Sequence, residues 1–110
     1  MNRAPLPVEL ASTTDGQLPD NVQAAAYFVV AEAITNVAKY AQASHAAVSV
    51  QHHDGQVVVE VSDDGVGGAD PDKGSGLRGL ADRVAALNGR LDVRSEPGLG
   101  TRVRAIIPCE

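Results

Sequence analysis

Tryptophan is absent from these 110 residues, and one phenylalanine and two tyrosines are the only large aromatics. A core must therefore be assembled from Ala, Val, Leu and Ile. Cys109 is the single cysteine, which rules out an intramolecular disulfide and any cysteine-based metal cluster. No apolar run is long enough to cross a bilayer. The amino end, Met1 to Pro7, is polar and carries two prolines, unlike a secretory signal. Positive charge is also scarce: the net charge is -5, against wrapping nucleic acid or docking on anionic lipid. These absences leave one small domain spanning 1–110, expected to be soluble and cytoplasmic, with a single two-layer core.

What is present is strongly patterned. Val8 to Thr13 reads as an edge strand, and Asp20 stands where an N-cap would. From Asn21 to about Gln42 there is no Gly or Pro and alanine is abundant, which predicts a long helix. Val30, Ile34, Val37 and Ala41 recur at helical spacing as its expected buried stripe, with Glu32, Asn36 and Lys39 on another. Ala46 to Gln51 alternates as a strand. Asp54-Gly55 signals a type I′ hairpin, because both residues tolerate positive φ. Val57, Val59 and Val61 continue as a central strand that delivers Asp63 at its carboxyl end. Leu77, Leu80, Val84 and Leu87 mark a second helix closed by Asn88-Gly89. Leu91 and Val93 make a strand, Glu96 to Gly100 a turn, and Thr101 to Ile107 a last strand. The order predicts an α/β (α+β) two-layer sandwich, with helices on one face of a mixed, mostly antiparallel sheet.

Six of the eleven glycines fall between Gly65 and Gly79. Glycine loses more conformational entropy on folding than any other residue, so such a cluster weakens the fold unless something requires it. It is either a plain flexible loop or one that closes over a ligand. Asp63 can accept hydrogen bonds from an exocyclic amine of the kind adenine offers, and Gly65 and Gly67 let the backbone pass a flat ring. Gly74, Gly76 and Gly79 fit G-x-G-x-x-G at a helix start, where free amides suit phosphate. A dinucleotide fold would place that motif directly after a strand, and here Ala69 to Lys73 intervenes. Asn36 is a poor helix former in mid-helix. It is either a solvated residue or, with Glu32 and Lys39, an oxygen donor for a metal ion beside a carboxylate and a cation. Mg²⁺ needs few protein oxygens.

"EAITNVAKYA" (Glu32 to Ala41), "DDGVGG" (Asp63 to Gly68), "GSGLRGL" (Gly74 to Leu80) and "GLGT" (Gly98 to Thr101) occur in that order. Together they resemble the N box and the three glycine boxes of the ATP-binding catalytic domain of sensor histidine kinases, whose architecture is the Bergerat fold. "GLRGLADRV" and the short glycine-rich segment are more similar to the nitrate-sensor/DesK-like subfamily than to the larger osmosensor-like one. The resemblance covers about residues 8–108. It implies ATP and Mg²⁺ as ligands, with Asn36 on the metal, Lys39 near the phosphates and Glu32 near the metal or the reacting phosphate. Asp63 would meet the adenine amine, Gly65 and Gly67 would let the ring approach, and Thr101 would support that network. Gly74, Gly76 and Leu77 would form the lid end that meets the triphosphate. Tyr40 stands where the subfamily more often has histidine, as a ring contact beside the nucleotide. Asp64 replaces a frequent asparagine.

The implied activity is transfer of the γ-phosphoryl group of ATP to a histidine on a separate dimerisation domain, with a response regulator downstream. Rival expectations are a stand-alone serine kinase of the anti-sigma-factor type and a non-catalytic nucleotide-sensing module. Nothing before Val8 reads as a phosphoacceptor helix pair. The expectation is therefore a monomeric catalytic domain whose parent is a homodimer, possibly membrane-anchored, or a free-standing relative. His45, His52 and His53 are expected to be ordinary surface histidines, and Arg102 and Arg104 the solvent face of the last strand. Arg78 is open between a phosphate contact and a solvated residue.

Overall fold

The computed structural model describes residues 8–14, 18–37, 43–65 and 77–109. Its elements are β1 (Val8–Thr14), α1 (Asp20–Asn36), β2 (Ala46–His53), β3 (Gln56–Asp63), α2 (Leu77–Ala85), β4 (Arg90–Ser95) and β5 (Thr101–Pro108). The five strands form one sheet in the order β1-β2-β3-β5-β4. β1 runs parallel to β2, and every other pair is antiparallel. β3 therefore lies at the centre, as its valine alternation predicts.

The hairpin between β2 and β3 turns on Asp54 and Gly55, at φ 54° and 74°. Both values lie in the left-handed region that a type I′ turn demands. Cys109 donates its amide to the Gly55 carbonyl at 2.8 Å, extending the β3–β5 ladder to the turn. α2 ends as a Schellman motif: the Gly89 amide reaches the Val84 carbonyl and the Asn88 amide the Ala85 carbonyl. Asn88, at φ 63°, takes the left-handed position itself. Gly89 is needed for proximity, since a Cβ there would lie 2.6 Å from the Ile106 carbonyl oxygen.

One face of the sheet carries the core. Val48, Val57, Val59, Val61, Val103, Ala105 and Ile107 meet Val22, Ala25, Ala26, Val29 and Ala33 of α1 and Leu77, Leu80 and Val84 of α2. Arg83 of α2 lies 3.9 Å from the centroid of the Phe28 ring, joining the two helices by a cation–π contact. The two-layer sandwich with helices on one face is as expected.

Two expectations about α1 are corrected. Asp20 is inside the helix rather than its N-cap; Pro19 caps it with no side-chain hydrogen bond, and its carbonyl accepts from Val22 and Gln23. Proline's fixed φ suits the entry to a helix, and Asp20 then lies in the first turn, where a carboxylate favours the helix dipole. The buried stripe is Val22, Ala25, Ala26, Val29, Ala33 and Val37, whereas Val30 and Ile34 are only partly buried on its flank. Small alanines let the helix lie close to the valine-rich sheet, so they win the inner face over Val30 and Ile34. Ala41 and the end of the expected helix at Gln42 lie outside the described residues.

Candidate functional site

The carboxyl end of β3 gathers the predicted residues that the structure describes on the sheet. Asp63 pairs across the ladder with Thr101, and Thr101 pairs with Ser95. Thr101 and Ser95 share a hydroxyl–hydroxyl hydrogen bond at 2.6 Å. The Gly65 amide donates to Asp63 Oδ1 at 2.8 Å, an Asx turn that orients the carboxylate as the chain leaves the strand. No described residue engages Oδ2, so one acceptor oxygen stays available.

Gly100 closes the same corner. It is buried at φ 79°, and a Cβ on it would lie 2.1 Å from the Asp63 carbonyl oxygen. No other residue allows the turn after β4 to pass so close beneath Asp63. Gly100 lies inside the quoted "GLGT" but was not singled out as a site residue. Its role follows from a backbone approach that spacing alone does not disclose. Leu99, just before it, closes the turn through its amide to the Glu96 carbonyl and is 74% exposed.

Glu32 and Asn36 lie one turn apart on α1 and are both partly buried. The Asn36 side-chain Nδ2 is enclosed and has no hydrogen-bond partner among the described residues. A buried polar atom left unmatched costs about 1–3 kcal/mol unless a ligand satisfies it. Amide nitrogen and oxygen interchange by a flip, so this group can face a bound oxygen or present its own oxygen to a cation. That fits the donor expected of Asn36 toward Mg²⁺. The residue next to it, Val37, packs on Ala46, the residue opposite Asp63 in the β2–β3 ladder. The end of α1 and the end of β3 are thereby brought side by side. Leu77 is 2% exposed in the core, so only its backbone is left to meet a ligand. Lys39, Tyr40, Gly67, Gly74 and Gly76 lie outside the described residues.

Asp64 does what the sequence did not disclose. Its Oδ1 accepts from the amides of Ser44 at 2.9 Å and His45 at 3.0 Å, and its Oδ2 from the Ser44 hydroxyl. The Ser44 hydroxyl, followed by the His45 amide, holds its carboxyl well below the ordinary 3.8, at about 2. The histidines divide. His45 is exposed, with its Nδ1 3.7 Å from Asp64. His52 is not an ordinary surface residue: its Nε2 lies 3.3 Å from the thiol of buried Cys109, and its Nδ1 is enclosed. Arg104 is exposed and Arg102 partly so, on the sheet's outer face as expected. Among the described residues, no group of three His, Cys, Asp or Glu side chains could hold a metal, and no helix is long and apolar enough to cross a membrane.

The profile of the histidine kinase-, DNA gyrase B-, and HSP90-like ATPase family matches residues 21–110. The oxygen sensor histidine kinase NreB of Staphylococcus carnosus is 38% identical over 93 residues, covering 81% of this chain and 27% of its own length. The sensor histidine kinase DesK of Bacillus subtilis is 39% identical over 80 residues, 70% of this chain and 21% of its own. Among solved structures, the blue-light activated histidine kinase of Erythrobacter litoralis EL346 superposes with a TM-score of 0.76 at 26% identity. That match covers 96% of this chain and 36% of the kinase. The chain thus spans about a quarter of the length of curated relatives such as NreB and the signal transduction histidine-protein kinase/phosphatase DegS of Brevibacillus brevis.

Proposed function

Since the chain belongs to the histidine kinase-, DNA gyrase B-, and HSP90-like ATPase family, we propose that it binds Mg-ATP. We further propose that it transfers the γ-phosphoryl group to a histidine on a separate dimerisation domain, from which a response regulator is served. The observation that carries this reading is Asp63, fixed at the end of the central strand with one oxygen held by Gly65 and the other available. A carboxylate in that state accepts from the amine of adenine, whereas guanine presents a carbonyl at the same edge. Gly65 would let the ring approach, Gly100 lets the turn after β4 pass close beneath Asp63, and Thr101, already hydrogen-bonded to Ser95, backs it from the neighbouring strand.

At the other end of the nucleotide, Asn36 would hold Mg²⁺, with Glu32 one helical turn away and Lys39 directed to the phosphates. Magnesium, when bound, neutralises charge on the phosphates. Catalysis by this chain is then mostly positioning: the adenine end is fixed at Asp63, and the phosphate end is presented beside α1. Gly74, Gly76 and the Leu77 backbone would meet the triphosphate, and Tyr40 the ring.

Calorimetric titration with Mg-ATP and Mg-GTP tests the first half of the proposal. ATP should bind more tightly, and Asp63→Asn should remove about 1.5–3 kcal/mol of that affinity, the worth of a hydrogen bond to a charged group. Phosphorylation of a supplied dimerisation and phosphoacceptor domain tests the second half. A serine kinase or a non-catalytic module would leave that histidine unlabelled.

A further inference from the structure

The β2–β3 ladder ends with Ala46 opposite Asp63. Beyond that rung the two chains head in different directions, 43–45 back toward α1 and 64–65 into the glycine-rich segment. They are nevertheless held together for one more step. The Asp64 carboxylate takes the amides of Ser44 and His45 and the Ser44 hydroxyl, and the Asp64 amide leans on the His45 carbonyl at 3.4 Å. A single residue, chiefly through its side chain, thus holds the two segments together beyond the last rung.

The position of this clamp gives it consequence. Its own chain neighbour is Asp63. On the far side, Ala43 packs with Val37 and Ile34 at the exit of α1, the helix that carries Asn36. Three donors converge on a carboxylate that is itself exposed, where solvation alone would satisfy it. Its oxygens are therefore committed to the protein and do not take up a base. We infer that Asp64 is a positioning residue for nucleotide recognition: by pinning the end of β3 to Ser44 and His45, it holds the available oxygen of Asp63 on the line where the base amine is met. This inference rests on the adenine reading of Asp63.

The test is a double-mutant cycle in the 110-residue chain, with ATP and GTP affinities from calorimetry and a thermal melt for each variant. Asp64→Asn keeps an oxygen for the two amides and should bind ATP within about threefold of the parent. Asp64→Ala should lose about tenfold for ATP, the scale of coupling inside one hydrogen-bond network, and lose ATP-over-GTP preference in proportion. In an Asp63→Asn background the same alanine change should have no further effect, because no carboxylate is left to position. If Asp63→Asn alone binds like the parent, the adenine reading falls and this inference with it. If Asp63→Asn weakens ATP but Asp64→Ala does not, or weakens ATP and GTP equally in both backgrounds, Asp64 serves stability alone. Should Asp64→Ala melt below the assay temperature, Ser44→Ala removes one donor and leaves the carboxylate. It should then show the same dependence on Asp63, with about a two- to threefold loss, and equal losses in both backgrounds would overturn the role.

Discussion

Asp63 and Asp64 are adjacent and chemically identical, yet the fold gives them opposite work. Asp63 accepts the Gly65 amide on one oxygen, which shapes the turn, and keeps the other oxygen available. Asp64 gives up its oxygens to Ser44 and His45. The second arrangement has a pH signature. Because its folded pKa, about 2, lies below the ordinary 3.8, Asp64 contributes stability above about pH 4 that is lost as pH falls through 2. Ser44→Ala, which removes the largest cause of the depression, should move the Asp64 titration up toward 3.8. Carboxyl carbon NMR across pH 1.5 to 6 reads this directly, and a parent Asp64 titrating near 3.8 would contradict the clamp. The placement of Asp63, the residue proposed for adenine, was legible from type and position, a carboxylate at a strand end followed closely by glycine. The clamp was not, because its donors lie 19 and 20 residues upstream and two of the three are backbone amides, which every sequence contains.

At the scale of elements, the turn between β4 and β5 separates two uses of glycine. Gly98 and Gly100 both have positive φ, at 84° and 79°, but a Cβ at 98 meets open space while one at 100 collides with Asp63. Gly98→Ala should therefore cost only the left-handed backbone term, about 1–2 kcal/mol. Gly100→Ala should cost more than Gly98→Ala, by at least about 1 kcal/mol, since a collision with backbone forces the strand end to move. Denaturant melts of the two variants check the ranking, and Gly100→Ala should also weaken ATP. Local signals predicted the hairpin at Asp54-Gly55 and the cap at Asn88-Gly89 well, because both depend on dihedral tolerance at named residues. The buried face of α1 was read correctly at Val37 but wrongly at Val30 and Ile34, for a physical reason. Its alanines and valines are apolar on several sides, and periodicity could not say which side the sheet would claim.

For the whole molecule, the sheet order sets the ranking of stability. β3 is flanked on both sides and packed on one face by both helices' core, and β5 is likewise internal, whereas β1 and β4 are edges. Native-state hydrogen exchange should find the slowest amides among Val57–Val61 and Val103–Ile107 and faster ones in β4, since protection tracks burial and pairing. Equal protection in β4 and β3 would count against this packing. Alternation predicted the strands, but the parallel pairing of β1 with β2 is a relation between distant segments that no local pattern encodes. The same distance has a kinetic meaning. The β2–β3 hairpin closes through a two-residue turn and can form within about 1–10 μs, whereas pairing β3 with β5 must first close the whole segment from 64 to 100. Asp63 meets Thr101, and Gly100 passes beneath it, only in that late closure. A chain with just its hairpin formed would hold the aspartate but not the corner proposed to bind nucleotide, so recovery of nucleotide binding in a refolding experiment should coincide with the slow, final phase.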